Sequence, residues 1–251
     1  CRSCETTCPS GVQYGHLLET GRELLEQVNP RPNINTLRRK WLSRGLVQTS
    51  LLTQAAKTAA RMRNWLPAGI RKQLPEHWPD ETWPAARHAR KMLVLGGCVQ
   101  PALAPNTNLA SARVLDSLGI SLLQEAPGGC CGAVGLHTSN QEMGREHARQ
   151  RIDSWWPQIE RGIEAIIFTA SGCGVTIRDY GEMFSDDPTY AKKAARVSEL
   201  ARDISEVVLA EIKQLDANRG QGRKIAFHPP CTLQHGLKLG GVVEQILSAS
   251  G

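Results

Sequence analysis

No stretch of the chain approaches the ~18 consecutive apolar residues of a membrane span, and no basic-then-apolar leader ends at an A-x-A cleavage site. A spanning helix and a cleaved secretory signal are therefore not expected. The chain does start at Cys1 and not at methionine, which leaves a targeting segment ahead of it open. No G-x-G-x-x-G follows a candidate strand, so no nicotinamide or flavin fingerprint is offered. No nucleic-acid motif accompanies the basic residues, and nucleic acid is not an expected partner. What is present is 251 residues, 41% hydrophobic and 22% charged, enough for one medium domain plus a smaller appendage.

The net charge of +6 is unevenly spread. Residues 31–91 carry thirteen Lys and Arg against Glu76, Asp80 and Glu81, which makes that segment +10 and the remainder −4. Such a face suits an acidic partner protein or an anionic membrane surface, and equally a plain solvated helical surface.

Eight cysteines could be disulfides, small core residues or metal ligands, and their clustering decides. Cys1, Cys4 and Cys8 open the chain, Cys130 and Cys131 are adjacent, and Cys98, Cys173 and Cys231 stand alone beside Gly or Pro. Adjacent cysteines rarely pair with each other, and with no secretory leader in view a reducing compartment, the cytoplasm, is expected. Thiolate ligands are favoured.

The opening reads Cys1-Arg-Ser-Cys4-Glu-Thr-Thr-Cys8-Pro9, or C-x2-C-x3-C-P. This is the ferredoxin run C-x2-C-x2-C-x3-C-P, which binds 4Fe-4S clusters, without its first cysteine. A zinc knuckle or a redox C-x2-C pair is the competing reading. Past Pro9-Ser10-Gly11, the spacing of Tyr14, Leu17, Leu18, Leu24, Leu25 and Val28 predicts an amphipathic helix, stopped by Pro30-Arg31-Pro32. Residues 34–65 read as further helix, followed by a proline-broken loop.

From Lys91 short apolar runs alternate with helical patterns, which predicts βα units and a largely parallel sheet. Candidate strands are Met92–Leu95, Ile120–Leu123, Ala165–Thr169 and Lys224–Phe227, with helices near 107–118, 140–154 and 191–213. Cys98, Cys130 with Cys131, Cys173 and Cys231 each fall just past one of those strands, at the sheet edge where open α/β folds bind ligands. The expected fold class is thus α/β: a parallel-sheet cysteine-rich domain over 92–251, preceded by the helical end of a ferredoxin-like 4Fe-4S domain over 1–30 and a basic helical connector over 31–91. His228 and His235 bracket Cys231; a hydrogen-bonding role is the commoner one for a loop histidine, and ligation is the rarer. Trp155 and Trp156 read as a core pair at a helix end.

Cys98, Cys130-Cys131-Gly132 and Cys173 resemble the cysteine-rich domain family found in heterodisulfide reductase and related iron-sulfur subunits. That family's last cysteine is replaced here by Thr176, so a five-thiolate non-cubane cluster is not supported, and an ordinary cluster or a zinc site stays open. Cys4-Glu-Thr-Thr-Cys8-Pro-Ser-Gly11, Pro105-Asn-Thr-Asn108, Gly129-Cys-Cys-Gly-Ala133, Thr169-Ala-Ser-Gly-Cys-Gly174 and Cys231-Thr-Leu-Gln-His235 resemble, more closely, the glycolate oxidase iron-sulfur subunit family. In that family an earlier ferredoxin motif precedes this stretch and a second Cys-Cys-Gly motif follows it, so the sequence is expected to be truncated at both ends, with Cys231 opening the incomplete second motif.

The resemblance implies an electron-transfer subunit whose clusters are held by Cys1, Cys4, Cys8, Cys98, Cys130, Cys131, Cys173 and Cys231. It implies a flavoprotein partner that carries FAD and oxidises glycolate to glyoxylate, and a quinone-type acceptor reached by peripheral contact with the inner face of the plasma membrane. No residue of this chain is expected to be catalytic. The alternatives are a lactate or glycerol-3-phosphate oxidising complex, a zinc-stabilised scaffold, and a thiol-disulfide enzyme acting through Cys130 and Cys131.

Overall fold

The computed structural model describes residues 2–76, 78–80, 82–125, 128–214 and 224–250. Four short strands form one sheet: β1 (Arg90–Val94), β2 (Ile120–Gln124), β3 (Ile166–Phe168) and β4 (Ala201–Asp203). Their order is β2-β1-β3-β4 and every pairing is parallel. The chain is otherwise mostly helical, so the class is mixed α/β.

Strand periodicity explains how the sheet is covered. Met92, Val94, Ile120, Leu122 and Ile167 point to one face, where Ala112 and Leu115 of helix Asn106–Ser117 and Val207 and Val208 of helix Ile204–Ala210 meet them. Leu93, Leu95, Ile166 and Phe168 point to the other, against Ala148, Ile152 and Trp155 of helix Gln141–Glu160 and Ala194 and Val197 of helix Ala191–Leu200. A sheet buried on both faces needs uninterrupted apolar strands, and Ile166-Ile167-Phe168 is fully buried.

Three of the four expected strands are present. Lys224–Phe227 is not a strand: it runs as irregular backbone with Ile225 62% exposed. The outer sheet position belongs to β4, inside the stretch expected to be one helix over 191–213. Ala201 and Asp203 are buried there while Arg202 faces out. Asp203 then caps the next helix, its carboxylate accepting from Ser205 N–H at 2.9 Å while Glu206 accepts the Asp203 N–H at 2.7 Å. This Asp-x-x-Glu capping box was a readable stop between two helices, overlooked because the flanking composition is helical throughout.

Upstream, helix Tyr14–Val28 forms as its spacing predicts, and the expected helix over 34–65 divides into Asn33–Val47 and Thr49–Arg61 at Gln48, then a short turn at Arg63–Trp65. Among the described residues no helix is long and apolar enough to cross a membrane. Helix Gln141–Glu160 runs beyond its expected end, through Pro157. Trp155 in it is fully buried, whereas Trp156 is only partly buried, donating to Glu160 at 2.8 Å with Lys193 over its ring.

Candidate metal centre

In the order β2-β1-β3-β4 the connection after β1 leads to β2 on one side and that after β3 leads to β4 on the other, and such sheets bind ligands at the carboxyl edge of that switch point. The cysteines lie on those loops. Cys98 follows β1 through Gly96 and Gly97. Cys130 and Cys131 follow β2. Cys173 sits in the first turn of helix Ser171–Arg178, directly after β3. Cys98, Cys130 and Cys131 are buried and Cys173 is partly so. Gly132 completes the Cys-Cys-Gly turn at φ +95°, and a Cβ there would stand 2.4 Å from the Gly144 carbonyl oxygen, so no other residue fits between this turn and helix Gln141–Glu160.

The four thiols stand in a chain in which each perturbs the ionisation of the next, Cys98 with Cys130, Cys130 with Cys131 and Cys131 with Cys173. Accepting from Cys131 and Cys98, with backbone N–H groups of Gly132 and Val134 adding, lowers the Cys130 pKa and favours its thiolate. Cys173, bonded to Cys131, is lowered too. Cys131, hydrogen-bonded to both and deeply buried, is raised well above an ordinary thiol, and Cys98 is raised by its bond to Cys130 and by burial. Tyr180, itself fully buried, donates its hydroxyl to the Cys131 carbonyl at 2.6 Å and so fixes the peptide between the paired cysteines and their glycine.

The N-terminal cysteines occupy a different environment. Cys1 lies outside the described residues. Cys4 is exposed on the short helix Ser3–Thr7, and Cys8 follows at its C-terminus, partly exposed. Backbone N–H groups of Val12 and Ser10 point at the Cys8 sulfur, with the Tyr14 hydroxyl and Gly11 N–H adding, and together they lower its pKa. The Pro9-Ser10-Gly11 turn thus wraps amides around one sulfur, a device that stabilises thiolate in metal-bound cysteines.

This segment docks on the sheet domain. Arg2 pairs with Asp179, His16 pairs with Glu182, and Thr6 Oγ1 lies 3.0 Å from His235 Nδ1. Between them is a cavity of about 340 Å³ lined by Cys4, Tyr14, Leu18, Gly172, Thr176 and Thr232 among others. Thr176, where the family pattern has a cysteine, therefore faces this cavity. Its hydroxyl donates back to the Gly172 carbonyl at 3.2 Å.

Cys231 is not part of the thiol chain. Without the expected strand before it, it sits exposed ahead of the Thr232–Gly236 turn. Of the histidines around it, His235 hydrogen-bonds to Thr6, and His228 is exposed. Sequence reasoning missed Tyr180, Glu125 and Arg151. Arg151 left a signal, a charge on the same helical stripe as Ala148, Ile152 and Trp155; Tyr180 left none.

All seven described cysteines are free thiols. Among the described residues no three His, Cys, Asp or Glu groups converge as the shell of a single ion would. The donor set of the sheet-edge site is entirely thiol, closely spaced, buried and served by backbone amides, which fits the chemistry of an iron-sulfur cluster.

Residues 92–178 match the model of the CCG cysteine-rich domain family. The glycolate oxidase iron-sulfur subunit of Escherichia coli is 47% identical over 252 aligned residues, covering all of this chain and 62% of that protein. A probable glycolate oxidase iron-sulfur subunit of Bacillus subtilis is 26% identical, covering 94% of this chain and 58% of its own length. Lactate utilization protein A of Bacillus thuringiensis is 22% identical over 154 residues, 61% of each chain. No solved structure matches. The chain spans about three fifths of the length of these curated relatives, and over that span it is similar to the glycolate oxidase iron-sulfur subunit, with the match to the CCG cysteine-rich domain family at its centre.

Proposed function

We propose that this chain is the cluster-bearing part of an iron-sulfur subunit in a glycolate-oxidising complex. It would receive electrons from a flavoprotein partner that carries FAD and converts glycolate to glyoxylate, and pass them to a quinone-type acceptor. The observation that carries the reading is the chain of four thiols, Cys98, Cys130, Cys131 and Cys173, brought from three strand ends to the ligand-binding edge of a parallel sheet. The set is all sulfur and drawn from three loops, the donor chemistry of an iron-sulfur cluster.

In this proposal residues 1–30 are the C-terminal part of a ferredoxin-like 4Fe-4S domain, with Cys1, Cys4 and Cys8 as ligands. Residues 31–91 form a basic helical connector, and 92–251 form the cysteine-rich domain with Cys231 in an incomplete second motif. When bound, a 4Fe-4S cluster supplies one-electron storage. The chain's own residues do the rest: thiolates ligate, the Gly132 and Val134 amides and those around Cys8 stabilise negative sulfur, and burial of Cys130 and Cys131 keeps water away. The basic connector suits the acidic surface of a partner chain or a membrane face on the cytoplasmic side.

A lactate-oxidising complex is the second reading, supported by the likeness to lactate utilization protein A at 22% identity. The 47% identity to a glycolate oxidase subunit favours glycolate. The test is anaerobic purification of the chain with its natural flanks and partner, followed by iron, zinc and sulfide analysis and low-temperature paramagnetic resonance after adding glycolate or lactate. Iron matched by sulfide and reduced by glycolate upholds the proposal. Reduction by lactate alone supports the second reading, and stoichiometric zinc without sulfide defeats both.

A further inference from the structure

The Glu125–Arg151 ion pair stands between the loop that carries Cys98 and the loop that carries Cys130 and Cys131, and no ligand role accounts for it. The Glu125 side chain is 1% exposed and that of Arg151 is 7% exposed. Arg151 is the only buried Lys or Arg among the described residues. One Glu125 oxygen contacts Arg151, and the other accepts the Gly96 N–H at 3.0 Å, two residues before Cys98. The Arg151 guanidinium lies against Gly129, the residue before Cys130: a Cβ at Gly129 would stand 2.9 Å from Arg151 Cζ. The two loops also touch directly, since a Cβ on Gly96 would stand 2.9 Å from Gly128 Cα.

Stability alone is a weak reason to retain such a pair. Two charges lose their hydration on burial, and apolar residues of similar size usually hold a fold as well or better. What apolar residues cannot do is bond the Gly96 amide from one side and set a planar cation against Gly129 on the other. Removing the charges would take away the polar link between the two loops and leave, among the described residues, the Gly96–Gly128 contact and the Cys98–Cys130 pair.

We infer that Glu125 and Arg151 are a positioning clamp, which fixes the Cys98 loop and the Cys130–Cys131 loop in register with each other and keeps a guanidinium beside the peptide leading into Cys130. Both residues act on the backbone beside the thiols, at Gly96 and Gly129, so the effect is on the geometry and electrostatics of the ligands and not on ligation itself. What those ligands hold rests on the cluster reading above; the clamp between the loops does not.

The test uses the chain with its natural flanks, loaded anaerobically with iron and sulfide, as wild type, as Glu125→Gln and as the apolar pair Glu125→Leu with Arg151→Met. Folding is followed by circular dichroism, iron release by a chelator, thiol access by peptide-resolved alkylation before and after metal removal, and the reduction potential by redox titration. The apolar pair should keep its helical signal and release iron about 10–100-fold faster, the usual scale for losing an outer support of metal ligands. Its metal-free Cys98, Cys130 and Cys131 should alkylate faster than in wild type. Glu125→Gln should raise the reduction potential, because it removes a buried negative charge beside the ligands, and less negative charge there favours the more negative, reduced cluster.

Wild-type release and alkylation rates in a folded apolar pair overturn the clamp. If the apolar pair does not fold, Glu125→Gln decides, and wild-type potential and release in that variant overturn it. A wild-type chain in which iron and sulfide leave these thiols unprotected overturns the cluster reading instead, and the metal-free alkylation rates of Glu125→Gln and wild type then decide the clamp.

Discussion

The two cysteine-bearing regions of this chain offer the same ligand atom in opposite settings. Before Met92 only Ser43 and Ala56 are buried among the described residues, and Leu17, Leu18, Leu24, Leu25 and Val28, the apolar face of helix Tyr14–Val28, are all more than half exposed. Beyond Met92 a two-faced sheet buries whole strands, and Cys130 and Cys131 are 2% and 1% exposed. In the first region the thiols are organised locally, by a turn that folds its amides onto Cys8. In the second they are organised by topology, from loops 30 to 45 residues apart that meet only because parallel strands end at one edge. A topological site is largely formed before any metal arrives, whereas a local one leans on its metal for order.

The sharpest way to break that contrast is Cys131→Ser. Cys131 is hydrogen-bonded to both Cys130 and Cys173, so its loss should empty the sheet-edge site while leaving the N-terminal one loaded. Iron and sulfide per chain measure this, and unchanged iron would sink the assignment of the second site. A like-for-like packing comparison comes next. Leu115→Ala, at a fully buried position of helix Asn106–Ser117, should cost about 2–5 kcal/mol in denaturant unfolding of metal-free protein. Leu24→Ala, on the open helix face, should stay within about 0.5 kcal/mol. Equal losses would mean that the N-terminal helix packs in solution as the core does.

A smaller effect is expected from Tyr180→Phe. The substitution keeps the ring and leaves the buried Cys131 carbonyl without its 2.6 Å partner, at a cost of about 1–3 kcal/mol. The same variant should loosen iron at the sheet-edge site, because the freed carbonyl belongs to the Cys-Cys-Gly turn. A variant as stable as wild type that holds iron equally well would show the hydroxyl to be incidental.

How much of this was legible in the residues follows from the physics of each element. Three strands could be read because Met92–Leu95, Ile120–Leu123 and Ala165–Thr169 are dense apolar runs, and a strand buried on both faces has to be one. Their cysteines could be placed at the sheet edge from position alone. β4 could not be read the same way, since Ala201-Arg-Asp203 is short and polar and owes its place to backbone pairing with β3. Lys224–Phe227 shows the converse: an apolar run of strand-like composition that pairs with no strand among the described residues stays exposed, and Cys231 stays out of the thiol chain with it. The Glu125–Arg151 pair was half legible. The stripe position of Arg151 announces a buried charge, but its partner lies 26 residues away across a loop, a contact that no spacing rule reaches.

The mildest test concerns the local site itself. Cys8 has its pKa lowered by the Val12 and Ser10 amides first, with Tyr14 O–H and the Gly11 amide adding to them, and the same bond raises the pKa of Tyr14. A lowered pKa means that thiolate persists to a pH below that of an ordinary thiol, so metal-free Cys8 should alkylate faster than an ordinary thiol at the same pH. Tyr14→Phe removes one donor to the thiolate and leaves the amides, so the pH midpoint of Cys8 alkylation should move upward and the rate at neutral pH should fall. Cys131, buried and raised by its neighbours, should resist the same reagent until its loops open. If Tyr14→Phe leaves the Cys8 profile where it was, the amide turn alone organises the N-terminal sulfur. If Cys8 and Cys131 react alike, the division between a locally built site and a topologically built one does not survive in solution.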